Sequence, residues 1–333
     1  MQITGSATNI ALSITGSVIA MPQMANSLTG SFTGSVGNVW FNTDTNTMQY
    51  TGLSSSIATW TAGAALSTAR YGLAGAGTQT AALAFGGNNG ASLSCTEAYN
   101  GTSWAAGGAM IVARVGIGGV GSQTAALGFG GKNATNCACT EAYNGTAWSA
   151  GGIMITARRC LAGAGTQTAA LGFGGTTFPI TVSCTEAYNG STWSAGGAMI
   201  VARYNLAGAG ISTSALGFGG NDASGLFSCT EAYNGTSWAT GTTLISGRQA
   251  LGGTGTQTAA LAFGGNNISN CACTEIYNGT SWTASTGLIN ARAYLAGSGT
   301  RTATLAFGGF NGAIVSCTEL YTSLPPVIVT CNI

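Results

Sequence analysis

A Gly-Gly pair that ends an apolar stretch recurs six times along this chain. The pairs are Gly86/Gly87, Gly130/Gly131, Gly174/Gly175, Gly219/Gly220, Gly264/Gly265 and Gly308/Gly309, a step of 44 or 45 residues. Each is followed by Cys-Thr-Glu-x-Tyr, first at Cys95 to Tyr99. In five of the six units Asn-Gly, a Trp and then an Arg come next. A unit this short cannot bury its apolar face alone and must stack on its neighbours. Self-similarity at this period therefore restricts the chain to a ring of small sheets or a solenoid.

Alternating apolar and small polar residues divide each unit into four short strands. In the first unit they are expected at about 73–77, 80–85, 93–99 and 103–110. The first is rich in Gly and Ala, as suits the crowded strand nearest a ring axis. The third and fourth meet at Asn-Gly, a pair that tolerates the positive φ of a type I′ turn. The last unit has Cys317 to Tyr321 but no Asn-Gly and no Trp, whereas the stretch Trp60 to Arg70 matches a fourth strand with no unit before it. The strand around Trp60 is thus expected to complete the sixth sheet and remove the open edges of the ring. A seven-bladed ring that uses a hairpin at 39–51 is the alternative. The tail LPPVIVTCNI can add one edge strand, which Pro325 and Pro326 keep from being central.

The Gly-Gly pair, with Tyr99 and Trp104 and their equivalents, resembles the kelch family of β-propellers over about Trp60 to Tyr321. The resemblance implies an all-β, six-bladed kelch-like propeller. It does not imply one function, because such propellers serve as binding modules, structural proteins and a few enzymes. The expected organisation is a Thr-Gly-Ser-rich attachment segment with a hairpin at 1–56, the propeller at 57–323 and a tail at 324–333. Thr-Gly-Ser recurs at 4–6, 15–17, 29–31 and 33–35, ahead of GNVWFNTDTNTMQYTG at 37–52, where Asp44 to Asn46 are expected to turn. This region is similar to the N-terminal parts of bacteriophage tail-fibre and other virion proteins.

Charge is scarce. Asp, Glu, Lys and Arg make up 5% of residues, against about 25% in an average globular chain. No apolar run approaches the ~18 residues of a membrane helix, so no membrane insertion is expected. The repeats also account for most of the charges. Glu97, Glu141, Glu186, Glu231, Glu275 and Glu319 are six of the eight acids, and Arg70, Arg114, Arg158, Arg203, Arg248 and Arg292 are six of the nine bases. One Arg–Glu pair per blade, within or between blades, is the structural expectation. The remaining surface lacks the basic footprint that nucleic acid requires. No Lys or Arg precedes Arg70, so export through a secretory signal is not expected.

Catalysis is poorly supplied. The chain has no His, which removes Ser–His and Cys–His pairs and imidazole metal sites. That includes the copper chemistry of some kelch propellers. The non-repeat acids, Asp44 and Asp222, are far apart in sequence. No enzyme activity, metal or cofactor is expected. Cys137 and Cys271 occupy a position held elsewhere by Leu93, Val182, Phe227 and Val315, so Cys is read there as a small core hydrophobe, with disulfides left open.

Strand parity sorts the loops. The 1–2 loops (GTQT, GSQT, GTQT, GIST, GTQT, GTRT) and the Asn-Gly 3–4 loops fall on one nearly uniform face. The 2–3 loops and 4–1 connections fall on the other and vary from blade to blade. Tyr71, Lys132, Arg159, Phe178, Tyr204, Asp222, Phe227, Tyr294 and Phe310 collect there as candidate ligand-binding residues. Rings among hydrogen-bonding groups suit sugar or protein recognition. The expected function is a non-enzymatic bacteriophage virion protein: a tail-fibre, decoration or host-binding module. Its N-terminal segment would meet other virion proteins, and its propeller would meet a host cell-surface glycan or protein. The alternatives are a bacterial extracellular adhesin, found at the cell surface, and a purely structural filament or capsid-surface subunit.

Overall fold

The computed structural model describes residues 39–42, 47–50, 58–323 and 329–332. The Thr-Gly-Ser repeats and the turn at Asp44 to Asn46 lie outside these. Residues 58–322 pack as one unit, a six-bladed β-propeller of four-stranded antiparallel blades. Blade 1 comprises Ala74–Gly77, Ala82–Phe85, Thr96–Tyr99 and Trp104–Gly107, in that spatial order from the axis outward. Blades 2 to 5 repeat this order, with first strands Gly118–Gly121, Ala162–Gly165, Ala207–Ile211 and Gly252–Thr256. Blade 6 takes Ala296–Gly299, Ala303–Phe307 and Thr318–Ser323 from the end of the array and Ala58–Gly63 from its beginning. The strand carrying Trp60 therefore closes the ring, and the first strand of blade 6 packs against that of blade 1.

A second unit holds a three-stranded sheet. Val39–Asn42 pairs antiparallel with Thr47–Tyr50, which pairs in turn with Val329–Asn332. The hairpin does not build a seventh blade, and the tail strand is an edge strand of this sheet.

Apolar cores lie between blades rather than within them. There are six clusters, one for each interface. Between blades 1 and 2, Ala76, Leu83, Phe85 and Met110 meet Ile117, Ala126, Tyr143 and Trp148. Each outer-strand Trp lies on the Phe of the preceding blade, as Trp148 does on Phe85 at 4.9 Å between ring centres. Its indole N–H donates to the Thr of that blade's Cys-Thr-Glu run, Trp148 to Thr96 at 2.9 Å. The same bond links Trp104 to Thr318, Trp193 to Thr140, Trp238 to Thr185, Trp282 to Thr230 and Trp60 to Thr274. The Gln of the 1–2 loops is a further clamp: Gln123 Nε2 donates to the carbonyls of Ala82 and Tyr99 in blade 1. Inter-blade packing thus explains the near-identity of these loops.

The repeat Arg and Glu also act between blades. Arg114 follows the outer strand of blade 1, and its carbonyl accepts from Gly87 N–H of that blade. Its guanidinium pairs with Glu141 of blade 2 at 2.8 Å. The other pairs are Arg70–Glu97, Arg158–Glu186, Arg203–Glu231, Arg248–Glu275 and Arg292–Glu319, and every Arg side chain is fully buried. Glu141 also accepts from the backbone N–H groups of Ile111 and Val112, in the connection leaving blade 1. Burial pulls the guanidinium pKa of Arg114 down, and the adjacent carboxylate opposes that shift.

Two glycine positions have direct steric causes. A Cβ at Gly75 would sit 2.8 Å from both the Gly297 carbonyl oxygen and the Phe307 ring, because first strands of adjacent blades nearly touch. Gly130 has φ of +65°, and a Cβ there would lie 2.7 Å from the Arg158 carbonyl oxygen. The Gly-Gly pair is therefore where the next connection crosses the blade.

Two sequence expectations are corrected. The third strand starts at Thr96, not residue 93. Leu93 and Cys95 instead bond to Gly87, Gly86 and Arg114, binding the incoming Arg segment. The Asn-Gly connection is a four-residue loop, not a type I′ turn. Only Gly101 takes positive φ, while the Asn100 side-chain oxygen accepts from Thr102 and Ser103 N–H. Cys271 is buried as a core residue, and the disulfide question left open by the sequence has an answer at Cys137 and Cys271. Each is disulfide-bonded to the Cys two residues on, Cys139 and Cys273, with Cα atoms 5.2 and 5.3 Å apart, within the range a disulfide spans.

Candidate functional site

The variable face is built from the residues around each repeat Arg. The residue after it forms an antiparallel bridge with the residue after the Gly-Gly pair. These bridges are Tyr71–Asn88, Val115–Lys132, Arg159–Thr176, Tyr204–Asn221, Gln249–Asn266 and Ala293–Phe310. They place the 4–1 connections beside the 2–3 loops on one face, as parity requires.

The second residue after the Arg sits nearer the axis. Gly72, Gly116, Cys160, Asn205, Ala250 and Tyr294 all adopt left-handed φ between 54° and 66°. Each donates its N–H to the carbonyl of the preceding one, and Gly72 donates to Tyr294, closing a ring of six bonds of 2.8–2.9 Å. Four members are not glycine, so each holds a conformation that costs an L-residue roughly 1–2 kcal/mol. Such a cost persists where the surroundings fix the backbone, and it concentrates at functional sites.

Within and above this ring lies a depression of about 420 Å³, a size common for small-ligand sites. Tyr71, Lys132, Arg159 and Tyr294, all expected from the sequence, line it together with Asn88, Ser92, Asn133, Cys160 and Asn205. Tyr71 meets Tyr294 edge-on at 6.0 Å and Phe310 at 6.2 Å. A neighbouring cavity of about 610 Å³ shares Tyr294 and adds Phe310, Gln249, Asn266, Asn270 and Asn311. Asn205 Nδ2 donates to Gln249 Oε1 at 3.0 Å, joining the two groups of residues.

The remaining expected residues are less central. Phe178 is largely exposed, with the Arg159 guanidinium over its ring at 5.3 Å. Tyr204 lies near enough to Tyr294 to help raise its phenol pKa, after the larger effect of burial. Asp222 turns away into its own hairpin, where its carboxylate accepts from the O–H and N–H of Ser224; these bonds hold its pKa below the usual value. Phe227 does not line either cavity. Its backbone bonds to Gly220 and Arg248, so it fills the slot that Leu93 and Val182 fill elsewhere.

Cys160, Asn205 and the amide residues of the second cavity escaped the sequence reading. The available signal was the variable second position after each Arg: Gly, Gly, Cys, Asn, Ala, Tyr. Cys160 carries a direct test. Burial pushes its thiol up to about 11 from an ordinary 9.0, against the opposing effect of Arg159. At pH 8 only about one thiol in a thousand is then ionised. Alkylation of native Cys160, followed by peptide mass spectrometry, should be at least about tenfold slower than in the urea-unfolded chain. The rate should keep rising towards pH 11; a plateau near pH 9 would mean that the half-buried thiol is solvated from the depression. The unfolded thiol ionises first, so this group removes stability as pH rises from about 9 to about 11.

Exposed apolar side chains are also unevenly distributed. Of eleven large ones among the described residues, Phe178, Ile180, Leu226 and Ile268 lie in 2–3 loops, and Ile111, Ile153, Ile155, Ile200, Ile245 and Ile289 in 4–1 connections. Only Ile211 lies in a 1–2 hairpin, on the uniform face. Among the described residues no group of three or more His, Cys, Asp or Glu is arranged to hold a metal ion. No protein-family model matches this chain and no curated protein matches it.

Proposed function

We propose that this chain is a non-enzymatic virion protein of a bacteriophage, a kelch-like propeller whose variable face binds a glycan or protein on the host surface. The carrying observation is the convergence, at the axial depression and the cavity beside it, of the side chains that break the repeat. Tyr71, Tyr294 and Phe310 offer ring faces and edges, and Asn205, Gln249 and Asn266 offer both donors and acceptors. The apolar residues that surround this face favour an interaction surface. The opposite face is spent on repeated inter-blade clamps. The Thr-Gly-Ser-rich N-terminal segment, through its resemblance to tail-fibre proteins, is the proposed attachment to the particle.

An antibody against the propeller tests the particle assignment, and a host-cell and glycan binding assay tests the recognition. The chain should co-purify with virions. Phe310→Ser together with Tyr71→Ser should weaken host binding about tenfold or more while the melting temperature stays close to that of the parent. Absence from purified particles rejects the virion reading. Failure of the intact protein to bind any host surface or glycan rejects the recognition reading.

A further inference from the structure

We infer that the axial depression holds an anionic saccharide, with a carboxylate or phosphate seated by Lys132 and Arg159. This rests on the recognition reading above and names its ligand class. Six of the nine bases are consumed by their Glu partners. A seventh, Arg301, donates to the Tyr277 carbonyl as part of the 1–2 clamp set on the uniform face. The two that remain are Lys132 and Arg159, and both line the same cavity. Among the described residues neither side chain enters a salt bridge, and no Asp or Glu lines the depression.

In a chain this poor in charge, two unpaired cations at one concave site are a local field of one sign, which attracts an anion. Their main chains are fixed. Lys132 exchanges both backbone hydrogen bonds with Val115, and Arg159 does so with Thr176. The Arg159 guanidinium is also held over the Phe178 ring at 5.3 Å. A planar fork so placed keeps N–H groups free for a carboxylate or phosphate edge.

The rest of the site argues for a sugar as the carrier of that anion. Lys132 and Arg159 belong to blades 2 and 3, while the second cavity lies across the ring between blades 5 and 6. That cavity is neutral and amide-rich, with Tyr294 and Phe310 as aromatic surfaces. Amides and ring faces suit the hydroxyls and C–H faces of uncharged sugar units. Two cations are too few for a polyanion such as nucleic acid, whose binding needs many phosphate contacts.

The test is titration calorimetry on the full chain with three oligosaccharides of equal length: an oligogalacturonate, its carboxyl-reduced neutral counterpart and a phosphorylated oligomannose. Lys132→Gln, Arg159→Gln and the control Arg301→Gln are measured alongside, each checked for an unchanged melting curve, and all are assayed on host cells. An acidic probe should bind more tightly than the neutral one and lose about tenfold or more for each of Lys132→Gln and Arg159→Gln. Its binding should also weaken as salt is raised, and Arg301→Gln should leave it unchanged. Which acidic probe binds identifies carboxylate or phosphate as the source. Equal binding of the neutral probe, or host binding indifferent to both variants, overturns the anion site and leaves recognition standing. If the intact protein binds neither the sugars nor host cells, both readings fall.

Discussion

Glu141→Ala should lower the unfolding free energy by about 3–5 kcal/mol, although it removes a side chain far from the candidate site. Glu141 lies at the interface of blades 1 and 2, with its side chain 2% exposed and its Arg114 partner fully buried. The substitution strands a guanidinium without its counter-charge. It also leaves the N–H groups of Ile111 and Val112 without their acceptor. Replacing both partners by apolar residues can be neutral in other buried pairs, but here it should not rescue the loss. Arg114 also donates to the carbonyls of Gly128, Gly130 and Cys139, and an apolar residue would leave the Gly130 oxygen without that donor. Denaturant unfolding followed by Trp fluorescence measures the change. At ~2–4 °C per kcal/mol for a domain of this size, the melting temperature should fall by about 10 °C. A loss below about 1 kcal/mol for Glu141→Ala would mean the pair is solvated and dispensable.

The same interface shows what the sequence could and could not reveal. Six copies of Arg and Glu at fixed spacing announced a pair per blade, but spacing alone did not distinguish pairs within a blade from pairs between blades. Closure at Trp60 was legible because the unit count left one strand missing at one end and one spare at the other. The uniform and variable faces were legible from parity, since alternate connections of an up-and-down sheet must leave by opposite edges. Less was readable where a residue's partner lies in another blade. Gln123 and Trp148 both look like features of their own repeat, yet each bonds to the preceding one. The ring of left-handed residues was hidden for a related reason. Left-handed φ is advertised by glycine, and Gly72 and Gly116 alone resemble ordinary turn residues. Cys160, Asn205, Ala250 and Tyr294 are held in that conformation by hydrogen bonds that close only around the whole circle. Tyr294 was found as an aromatic of a variable loop, not as the residue shared by both cavities.

Ring closure has an energetic consequence. Trp60→Ala and Trp193→Ala should cost the same within about 1 kcal/mol, each about 3–5 kcal/mol. Trp193 lies inside the continuous array. It packs on Phe129 at 5.0 Å and Tyr188 at 5.1 Å and donates to Thr140 at 2.9 Å. Trp60 comes from the other end of the array and reproduces that set on Phe263 at 5.5 Å, Tyr321 at 5.1 Å and Thr274 at 3.1 Å. Burial matches too, at 6% and 7% exposure. In an open array the terminal strand contacts one neighbour, can fray locally, and its loss is felt weakly by the rest. A closed ring has no terminal interface, so a defect at the seam loosens the neighbouring blades as much as a defect elsewhere. Paired denaturant curves on the full-length variants decide the matter, and a Trp60→Ala cost under half that of Trp193→Ala would mean the seam frays independently. Internal deletion of Ala58–Gly63 should be more severe than either. It leaves Thr318–Ser323 as an unpaired edge and removes the Trp from the interface of blades 5 and 6, so the melting transition should fall further and broaden as the blades lose their common cooperativity.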